Sequence, residues 1–278
     1  MTETRRPGNG DSAPIFAPRK GPAVLCLHGF TGTPYEIAPI AHALVAADFS
    51  VFAPVLAGHG NTATALAATS WQDWLASAEA AFEKLRAASG DGPVAVVGFS
   101  MGGLLALRMA RLYPEAVVAL VTASVPLRLP PWRVAVAKAW GLLPGFLRRS
   151  PLATISKRGG SDVTDDHVRR ECPSLQEMPL SGVAELVRLA ELVRHDLGLV
   201  KQPTLVVHGE RDHTVPMQAS YELAGSLASD IVERLWLPRS AHLVGVDVER
   251  AHLAQAVVEF LGHHTHPTAK AASEASPA

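Results

Sequence analysis

Short apolar runs alternate along most of this chain with longer segments in which apolar residues recur at helical spacing. The apolar runs predict strands over residues 23–27, 50–55, 94–97, 116–121, 204–207 and 231–237. The helical spacing predicts helices over residues 34–47, 70–88, 101–113, 181–197, 217–227 and 247–261. Buried strands that alternate with helices form a mostly parallel sheet with helices on both faces, because each crossover lays a helix against the sheet. The sequence therefore predicts the α/β fold class.

The alternation is interrupted once, between residues 124 and 180. The interruption contains a possible helix over residues 132–142, and strands and helices resume after it. A segment that leaves one strand and returns to the same sheet is typical of an insertion. We therefore predict a single α/β core, formed by residues 21–123 and 181–261, with a small cap segment inserted at residues 124–180.

The two ends of the chain are poor in side chains that build a core. Residues 1–20 and 262–278 are rich in Gly, Pro, Ser, Thr and charged residues. Segments of this composition bury too little apolar surface to offset the entropy of ordering. Both ends are predicted to be mobile tails, and the second to be disordered.

The composition excludes several classes of partner. The 25 Lys and Arg residues balance the 26 Asp and Glu residues, for a formal charge of -1, so no overall field attracts nucleic acid. Cys26 and Cys172 are too few for a disulfide framework and form no metal-binding pattern. No metal and no cofactor are predicted.

The sequence predicts neither a secretory signal nor a membrane span. The arginines near the start are not followed by the apolar run of a signal sequence, and no apolar stretch reaches about 18 residues. The prediction is a cytoplasmic protein.

Residues 94–103 carry the motif that is most informative about function. They read VAVVGFSMGG, so a buried strand runs into Gly-x-Ser-x-Gly and then directly into a helix. The sharp turn requires Gly98 and Gly102, because side chains at these positions would collide with neighbouring elements. The turn lifts the hydroxyl of Ser100 above the sheet at the start of a helix. Ser100 is therefore the candidate nucleophile.

A serine hydroxyl is a weak nucleophile, so it needs a histidine base, and the base needs an acid. Four histidines lie near predicted strand ends: His28, His59, His208 and His242. In chains with this kind of turn, the order along the sequence is Ser, acid, His. Only His242 follows a loop that carries acidic residues, and it is the candidate base.

The candidate acid lies in the loop HGERDHTVP, residues 208–216, after a predicted strand. Glu210 abuts the end of the strand, where it can pair with Arg211 or face solvent. Asp212 lies farther into the turn, with Val215 and Pro216 leading into the next helix. We favour Asp212, and Glu210 stays open as the alternative.

An oxyanion formed during acyl transfer needs two backbone N–H donors. Met101, the first residue after Ser100, supplies one. Phe30 is the candidate for the other, because it lies in the loop after the first predicted strand, where Gly29 lets the main chain turn inward. His28 is predicted to brace this loop by a structural hydrogen bond, and His59 to support it.

The segments HGFTG, AGHG, GFSMGG, HGERDHTVP and SAHLVGVD follow one another in this order between residues 20 and 261. Together they resemble the α/β-hydrolase superfamily, and more narrowly its bacterial carboxylesterase and monoacylglycerol lipase branch. The resemblance implies ester hydrolysis through an acyl-enzyme, with Ser100, Asp212 and His242 as the triad. Ala241 is a departure, because many relatives have Gly before this histidine.

The same triad also fits other serine hydrolases, such as a thioesterase, a lactonase, a peptidase or an enzyme that cleaves carbon–carbon bonds. A different class of protein, a non-catalytic ligand-binding protein that kept the fold, is the remaining alternative. A serine at the nucleophile position disfavours dehalogenase or epoxide hydrolase chemistry, because those branches use an aspartate.

The cap segment carries large apolar side chains interleaved with arginine and lysine. Its Trp132, Trp140 and Phe146, together with Phe30, are the candidate lining of an apolar pocket for the acyl chain of a small ester substrate. They can equally serve only to pack the cap segment onto the core. Its basic residues suggest peripheral contact with lipid surfaces.

Overall fold

The computed structural model describes residues 10–129, 131–141, 153–157 and 160–265. In chain order, the strands of these residues are β1 (Ile15–Ala17), β2 (Ala23–Leu27), β3 (Ser50–Ala53), β4 (Val94–Phe99), β5 (Val117–Ala123), β6 (Thr154–Ser156), β7 (Glu177–Pro179), β8 (Thr204–Gly209) and β9 (Val232–Leu237). The α-helices are α1 (Ala38–Ala46), α2 (Ala63–Ala67), α3 (Trp71–Ala88), α4 (Met101–Leu112), α5 (Pro131–Gly141), α6 (Asp166–Glu171), α7 (Leu180–Asp196), α8 (Gln218–Ser226) and α9 (Arg250–Thr265). Short 3-10 helices cover Pro34–Ile37 and Leu197–Leu199.

The main sheet has seven strands in the order β1-β3-β2-β4-β5-β8-β9. All neighbouring pairs are parallel except β1 and β3. Strands β6 and β7 form a separate antiparallel pair. The prediction of an α/β fold with a mostly parallel sheet is confirmed.

Both faces of the central sheet are buried, as β4 shows. Val94 and Val96 belong to the apolar cluster on one face, whereas Ala95, Val97 and Phe99 belong to the cluster on the other. Successive side chains of a strand point to opposite faces, so a strand that is apolar at every position is covered by helices on both sides. This is why the central strands read as continuous apolar runs.

The carboxyl ends of the central strands meet at one edge of the sheet. Phe99 of β4 pairs with Ala123 of β5, which pairs with Val207 of β8. On the other side of β4, Leu27 at the end of β2 pairs with Gly98. Loops that follow these strands are therefore neighbours, and this edge is where open α/β sheets bind ligands.

The predicted boundary of the first tail is wrong for Ile15–Ala17. These residues form β1, which pairs antiparallel with β3, and Phe16 packs edge-on against Phe52 with ring centroids 4.9 Å apart. Three residues are too few to show a periodicity, so the sequence gives no signal for this strand. Residues 1–9 lie outside the described part of the chain.

At the other end, helix α9 continues to Thr265 and so passes the predicted helix end at residue 261. Phe260 and His264, one helical turn apart, pack with ring centroids 4.6 Å apart, and this contact extends the helix into the predicted tail. Residues 266–278 lie outside the described part.

The predicted helix at residues 132–142 is confirmed as α5, which packs on α7. Ala137 of α5 contacts Ala184 and Val187 of α7, and Trp140 lies against the same cluster. The cap segment as a separate unit stays a prediction.

Within the residues that the structure describes, no helix is long and apolar enough to cross a bilayer.

Candidate active site

Ser100 occupies the sharp turn between β4 and α4. Its backbone has φ 52° and ψ −115°, in the positive-φ region that non-glycine residues rarely adopt. The backbone N–H of Ser100 donates to the carbonyl oxygen of Ala123 at 2.8 Å, which holds the turn against the end of β5. The sheet thus holds Ser100 in this unfavourable backbone conformation. Strained residues of this kind are common at functional sites.

Gly98 and Gly102 allow this turn because no side chain fits at either position. A Cβ atom on Gly98 would lie 2.3 Å from the carbonyl oxygen of Gly102, and one on Gly102 would lie 2.2 Å from the carbonyl oxygen of Leu27. In both cases the obstacle is backbone, which cannot rotate away. The predicted reason for these two glycines agrees with the structure.

The three residues predicted as a triad are brought together from three loops. The Nε2 atom of His242 lies 3.2 Å from Oγ of Ser100, and its Nδ1 atom lies 2.8 Å from Oδ2 of Asp212. The other carboxylate oxygen of Asp212 accepts hydrogen bonds from the backbone N–H groups of Thr214 and Val215, both at 2.8 Å. The candidate nucleophile, base and acid therefore lie within hydrogen-bonding reach of one another, with His242 in the middle.

Glu210, the alternative acid, does not reach the imidazole. It is exposed, and its backbone N–H donates to the carbonyl oxygen of Leu237 at the end of β9. The side chain of Asp212, by contrast, is 1% exposed. The structure therefore places Asp212, and not Glu210, against His242.

The electrostatics of Asp212 and His242 favour an ionised carboxylate beside an imidazole that is more basic than usual. Burial lowers the pKa of His242, but the Asp212 carboxylate outweighs it, with smaller contributions from Asp162 and Glu36, so the pKa lies above its ordinary value of 6.5. Burial likewise raises the pKa of Asp212, but His242 and the N–H group of Val215 outweigh it, and the pKa lies below its ordinary value. Each partner stabilises the charged form of the other.

His208 is a second imidazole in contact with the carboxylate of Asp212. Its Nε2 atom lies 3.1 Å from the carbonyl oxygen of Val215 and 3.3 Å from Oδ2 of Asp212, so Nε2 faces two acceptors and carries the proton. Its Nδ1 atom accepts a hydrogen bond from the hydroxyl of Ser220 at 2.6 Å. Burial lowers the pKa of His208, which keeps the ring neutral. Sequence reasoning set His208 aside, although its place at the end of β8 was the available signal.

The loop that carries Phe30 is braced by two neutral histidines. The backbone N–H of Leu56 donates to Nε2 of His28 at 3.1 Å, so Nδ1 is protonated and donates to the carbonyl oxygen of Gly29 at 2.9 Å. Burial lowers the pKa of His28 to about 3 and that of His59 to about 4. The rings lie 5.1 Å apart. The hydrogen bond predicted for His28 is present.

The two predicted oxyanion donors lie on different elements. Met101 is the first residue of α4 and is buried, whereas Phe30 lies in the loop after β2, next to Gly29. The ring of Phe30 packs against Trp74 with centroids 5.6 Å apart.

The loop that precedes His242, here called the base loop (residues 238–242), is held by the carboxylates of Asp247 and Glu249. Asp247, which is fully buried, accepts from the backbone N–H of Ala241 at 2.7 Å and from the N–H groups of Thr164 and Asp165 at 2.9 to 3.0 Å. Glu249 accepts from the hydroxyl of Ser240 at 2.7 Å. The loop before His242 is therefore tied to residues 164–165.

A cavity of about 1020 Å³ opens over Ser100 and His242. Its apolar lining includes Phe30, Leu129, Ile155, Met178, Leu186 and Leu243. Its polar lining includes Glu36, Lys157, Asp162, Arg169 and Arg211. A cavity of this size with mixed walls accepts a small molecule that has an apolar and a polar part.

Of the four predicted pocket residues, Phe30 lines this cavity. Trp140 is not among its lining residues in the described part of the chain, because α5 packs it toward Ala137, Ala184 and Val187. The side chain of Trp132 and all of Phe146 lie outside the described residues.

The described residues include no cluster of three or more His, Cys, Asp or Glu side chains arranged to hold a metal ion.

Comparison with known proteins supports the family and the kind of chemistry. Residues 18–249 match the model of a family described as serine aminopeptidase, S33. The chain is 27% identical over 251 residues to a thermostable monoacylglycerol lipase of Bacillus sp. (strain H-257), covering 90% of this chain and 94% of that protein. It is 26% identical over 239 residues to a carboxylesterase of Bacillus subtilis (strain 168), covering 86% and 92%. The resemblance inferred from the motifs is confirmed.

Solved structures show the same fold. A structure of the metagenome-derived lipolytic enzymes LipS and LipT matches with a TM-score of 0.83 and 26% identity, covering 92% of this chain and 100% of that one. The monoacylglycerol lipase of Paleococcus ferrophilus matches with a TM-score of 0.74 and 21% identity, covering 91% and 98%.

Proposed function

Because this chain belongs to the serine aminopeptidase (S33) family of α/β-hydrolases, we propose that it is a serine hydrolase that cleaves carboxylic esters. The observation that carries the proposal is the contact sequence Ser100, His242, Asp212, with atom separations of 3.2 and 2.8 Å, at the wall of the cavity. The names of the two Bacillus relatives, a monoacylglycerol lipase and a carboxylesterase, support esters as the substrate class.

The proposed reaction begins when Oγ of Ser100 attacks the ester carbonyl and His242 accepts the hydroxyl proton. The backbone N–H groups of Phe30 and Met101 hold the oxyanion of the tetrahedral intermediate. The intermediate collapses when His242 returns the proton to the departing alcohol, which leaves an acyl group on Ser100. Water, deprotonated by the same histidine, then releases the acid and restores the hydroxyl.

The mixed lining of the cavity suggests how the substrate lies. We propose that an apolar acyl chain contacts side chains such as Leu129, Ile155 and Leu186, and that a polar alcohol faces the charged lining residues. Peripheral contact of the cap segment with lipid, and a cytoplasmic location, stay predictions.

A rate profile tests the substrate class. We expect p-nitrophenyl esters and monoacylglycerols of increasing acyl length to be hydrolysed faster as the chain lengthens, up to the length of the cavity. A preference for the shortest acids would contradict the apolar acyl site. Because the family is described as a serine aminopeptidase family, amino-acid p-nitroanilides are the comparison substrates. Faster turnover of these than of the esters would indicate that the protein is a peptidase.

Ser100→Ala tests the nucleophile. We expect kcat to fall by roughly 10⁶ if the triad acts as a unit, with the fold retained. Covalent labelling by a fluorophosphonate should be lost in the same variant. Near-native esterase activity would show that another residue is the nucleophile.

A further inference from the structure

Glu36 is a buried acid beside the loop that carries Phe30, and the catalytic steps proposed above give it no role. It lies in the 3-10 helix Pro34–Ile37 and is 3% exposed. Its Oε2 atom accepts the backbone N–H of Gly29 at 3.1 Å, and its Oε1 atom accepts the hydroxyl of Ser174 at 2.7 Å. Each carboxylate oxygen thus has a defined partner, and one partner is the residue just before Phe30.

The loop is built closely around this carboxyl group. A Cβ atom on Gly32 would lie 2.0 Å from Oε2 of Glu36, so a side chain there would displace the carboxyl group. A Cβ atom on Gly245, in the chain that follows His242, would lie 2.3 Å from the backbone carbonyl oxygen of Glu36. Glu36 therefore fills the space between the loop of Phe30 and the chain that follows the base.

Two further contacts join the same loop to the cap segment. The backbone N–H of Leu175 donates to the carbonyl oxygen of Thr31 at 3.0 Å, and Nζ of Lys157 donates to Oγ1 of Thr31. The residues on either side of Phe30, Gly29 and Thr31, are therefore both held by hydrogen bonds.

A buried carboxyl group is costly unless its hydrogen bonds are made, so its position here calls for a role. Preorganised donors stabilise an oxyanion only when they are held near their productive positions. We propose that Glu36 is a positioning residue, which holds the Gly29 amide so that the neighbouring N–H of Phe30 points at the oxyanion. This inference rests on the proposed function, because it concerns the oxyanion of that reaction.

The test compares two variants that differ in hydrogen bonding but hardly in size. Glu36→Leu removes both acceptors, and we expect kcat to fall by about 100-fold with KM nearly unchanged, which is the cost of misplacing a donor by about 1 Å. Glu36→Gln keeps an oxygen for Gly29 and an N–H for Ser174, and it should recover kcat to within a few-fold of the wild type.

A transition-state analogue separates positioning from loss of structure. A trifluoromethyl ketone forms an oxyanion on Ser100, so its affinity should fall in Glu36→Leu by the same factor as kcat. Wild-type kcat and inhibitor affinity in a folded Glu36→Leu protein would overturn the proposal. So would a Glu36→Gln protein as impaired as the Leu variant, because the charge and not the hydrogen bonds would then matter.

Two further measurements cover the case in which Glu36→Leu does not fold and the case in which the protein cleaves no ester. If Glu36→Leu does not fold, Ser174→Ala removes only one contact of the carboxyl group and should lower kcat several-fold, whereas an unchanged kcat would contradict the proposal. Fluorophosphonate labelling of Ser100 passes through a similar oxyanion whatever ester the protein cleaves. A wild-type protein that labels but hydrolyses no ester would refute the proposed function, while slower labelling of Glu36→Leu would still support the role of Glu36.

Discussion

The Nε2 atom of His208 lies 3.3 Å from Oδ2 of Asp212, the same carboxylate oxygen that faces Nδ1 of His242 at 2.8 Å. The carboxylate of Asp212 therefore contacts two imidazoles, and the one that hydrogen-bonds Ser100 is that of His242. The second ring is fully buried and is itself fixed by Ser220. We expect this ring to help hold the carboxylate in place.

Replacing His208 by Leu should lower both activity and stability. The variant removes the ring that contacts Asp212 and that hydrogen-bonds the carbonyl oxygen of Val215, and it leaves the hydroxyl of Ser220 without its partner, so we expect unfolding to be easier by about 1–3 kcal/mol. We expect kcat to fall by about tenfold, because a small displacement of a catalytic group is costly. Urea unfolding and steady-state kinetics measure the two effects. The control is His195→Leu, whose side chain is 88% exposed; equal losses in the two variants would refute this role.

The pH dependence of kcat/KM should report His242. The imidazole acts as a base only when neutral, so activity rises with pH through its pKa, and because Asp212 raises that pKa, the rise should be centred above pH 6.5. Asp212→Asn removes the main cause of the raised pKa, so the remaining activity should rise at lower pH, with kcat reduced by about 10⁴. Glu210→Gln, at an exposed position, is the matched control and should leave the profile unchanged. If kcat/KM of Asp212→Asn rises at the same pH as that of the wild type, a group other than His242 controls the rise.

Gly102→Ala should be strongly destabilising. Its Cβ atom would lie 2.2 Å from the carbonyl oxygen of Leu27 and 2.6 Å from the carbonyl carbon, so β2 and α4 would have to separate. We expect a loss of about 3 kcal/mol in the free energy of unfolding. Gly225→Ala in α8 is the control, because nothing lies within 4 Å of its Cβ position and alanine favours a helix. Denaturant unfolding of both variants decides the matter, and comparable stability would mean that the turn can relax.

Asp247→Asn should loosen the base loop. The amide keeps one oxygen acceptor but turns an N–H group toward backbone donors such as those of Ala241 and Thr164. We expect a loss of about 2 kcal/mol in stability and a lower kcat, since hydrogen bonds to charged groups contribute about 1.5–3 kcal/mol. Thermal unfolding and kinetics of this variant are compared with those of Asp230→Asn, at an exposed position. If Asp247→Asn behaves like that control, the buried carboxylate does not organise His242.

The central architecture could be predicted because it depends on local patterns. Strand β4 is apolar throughout and runs into a motif that only a tight turn accommodates, so its type, its burial and the place of Ser100 follow from adjacent residues. The order of residues along the chain then narrowed the base to His242. The mostly parallel sheet follows from the same alternation of strands and helices.

The supporting residues could not be predicted because their partners lie far away in sequence. Glu36 meets Ser174 across 138 residues, and Asp247 meets Thr164 across 83, with no periodicity to indicate either contact. The packing of Trp140 could not be predicted either. Its apolar side chain made it a candidate for the lining of the pocket, but in the folded chain α5 packs it against α7.

Ser100 and His242 are 142 residues apart in the chain. The turn that exposes the serine depends on β2, β4 and β5, all of which are made early in synthesis, whereas the base belongs to a loop that is made after β9. During translation, therefore, the hydroxyl of Ser100 is made long before the predicted base, His242. Under the proposed reaction, hydrolysis cannot begin until the chain beyond β9 has been made, so an unfinished chain carries the serine without its base.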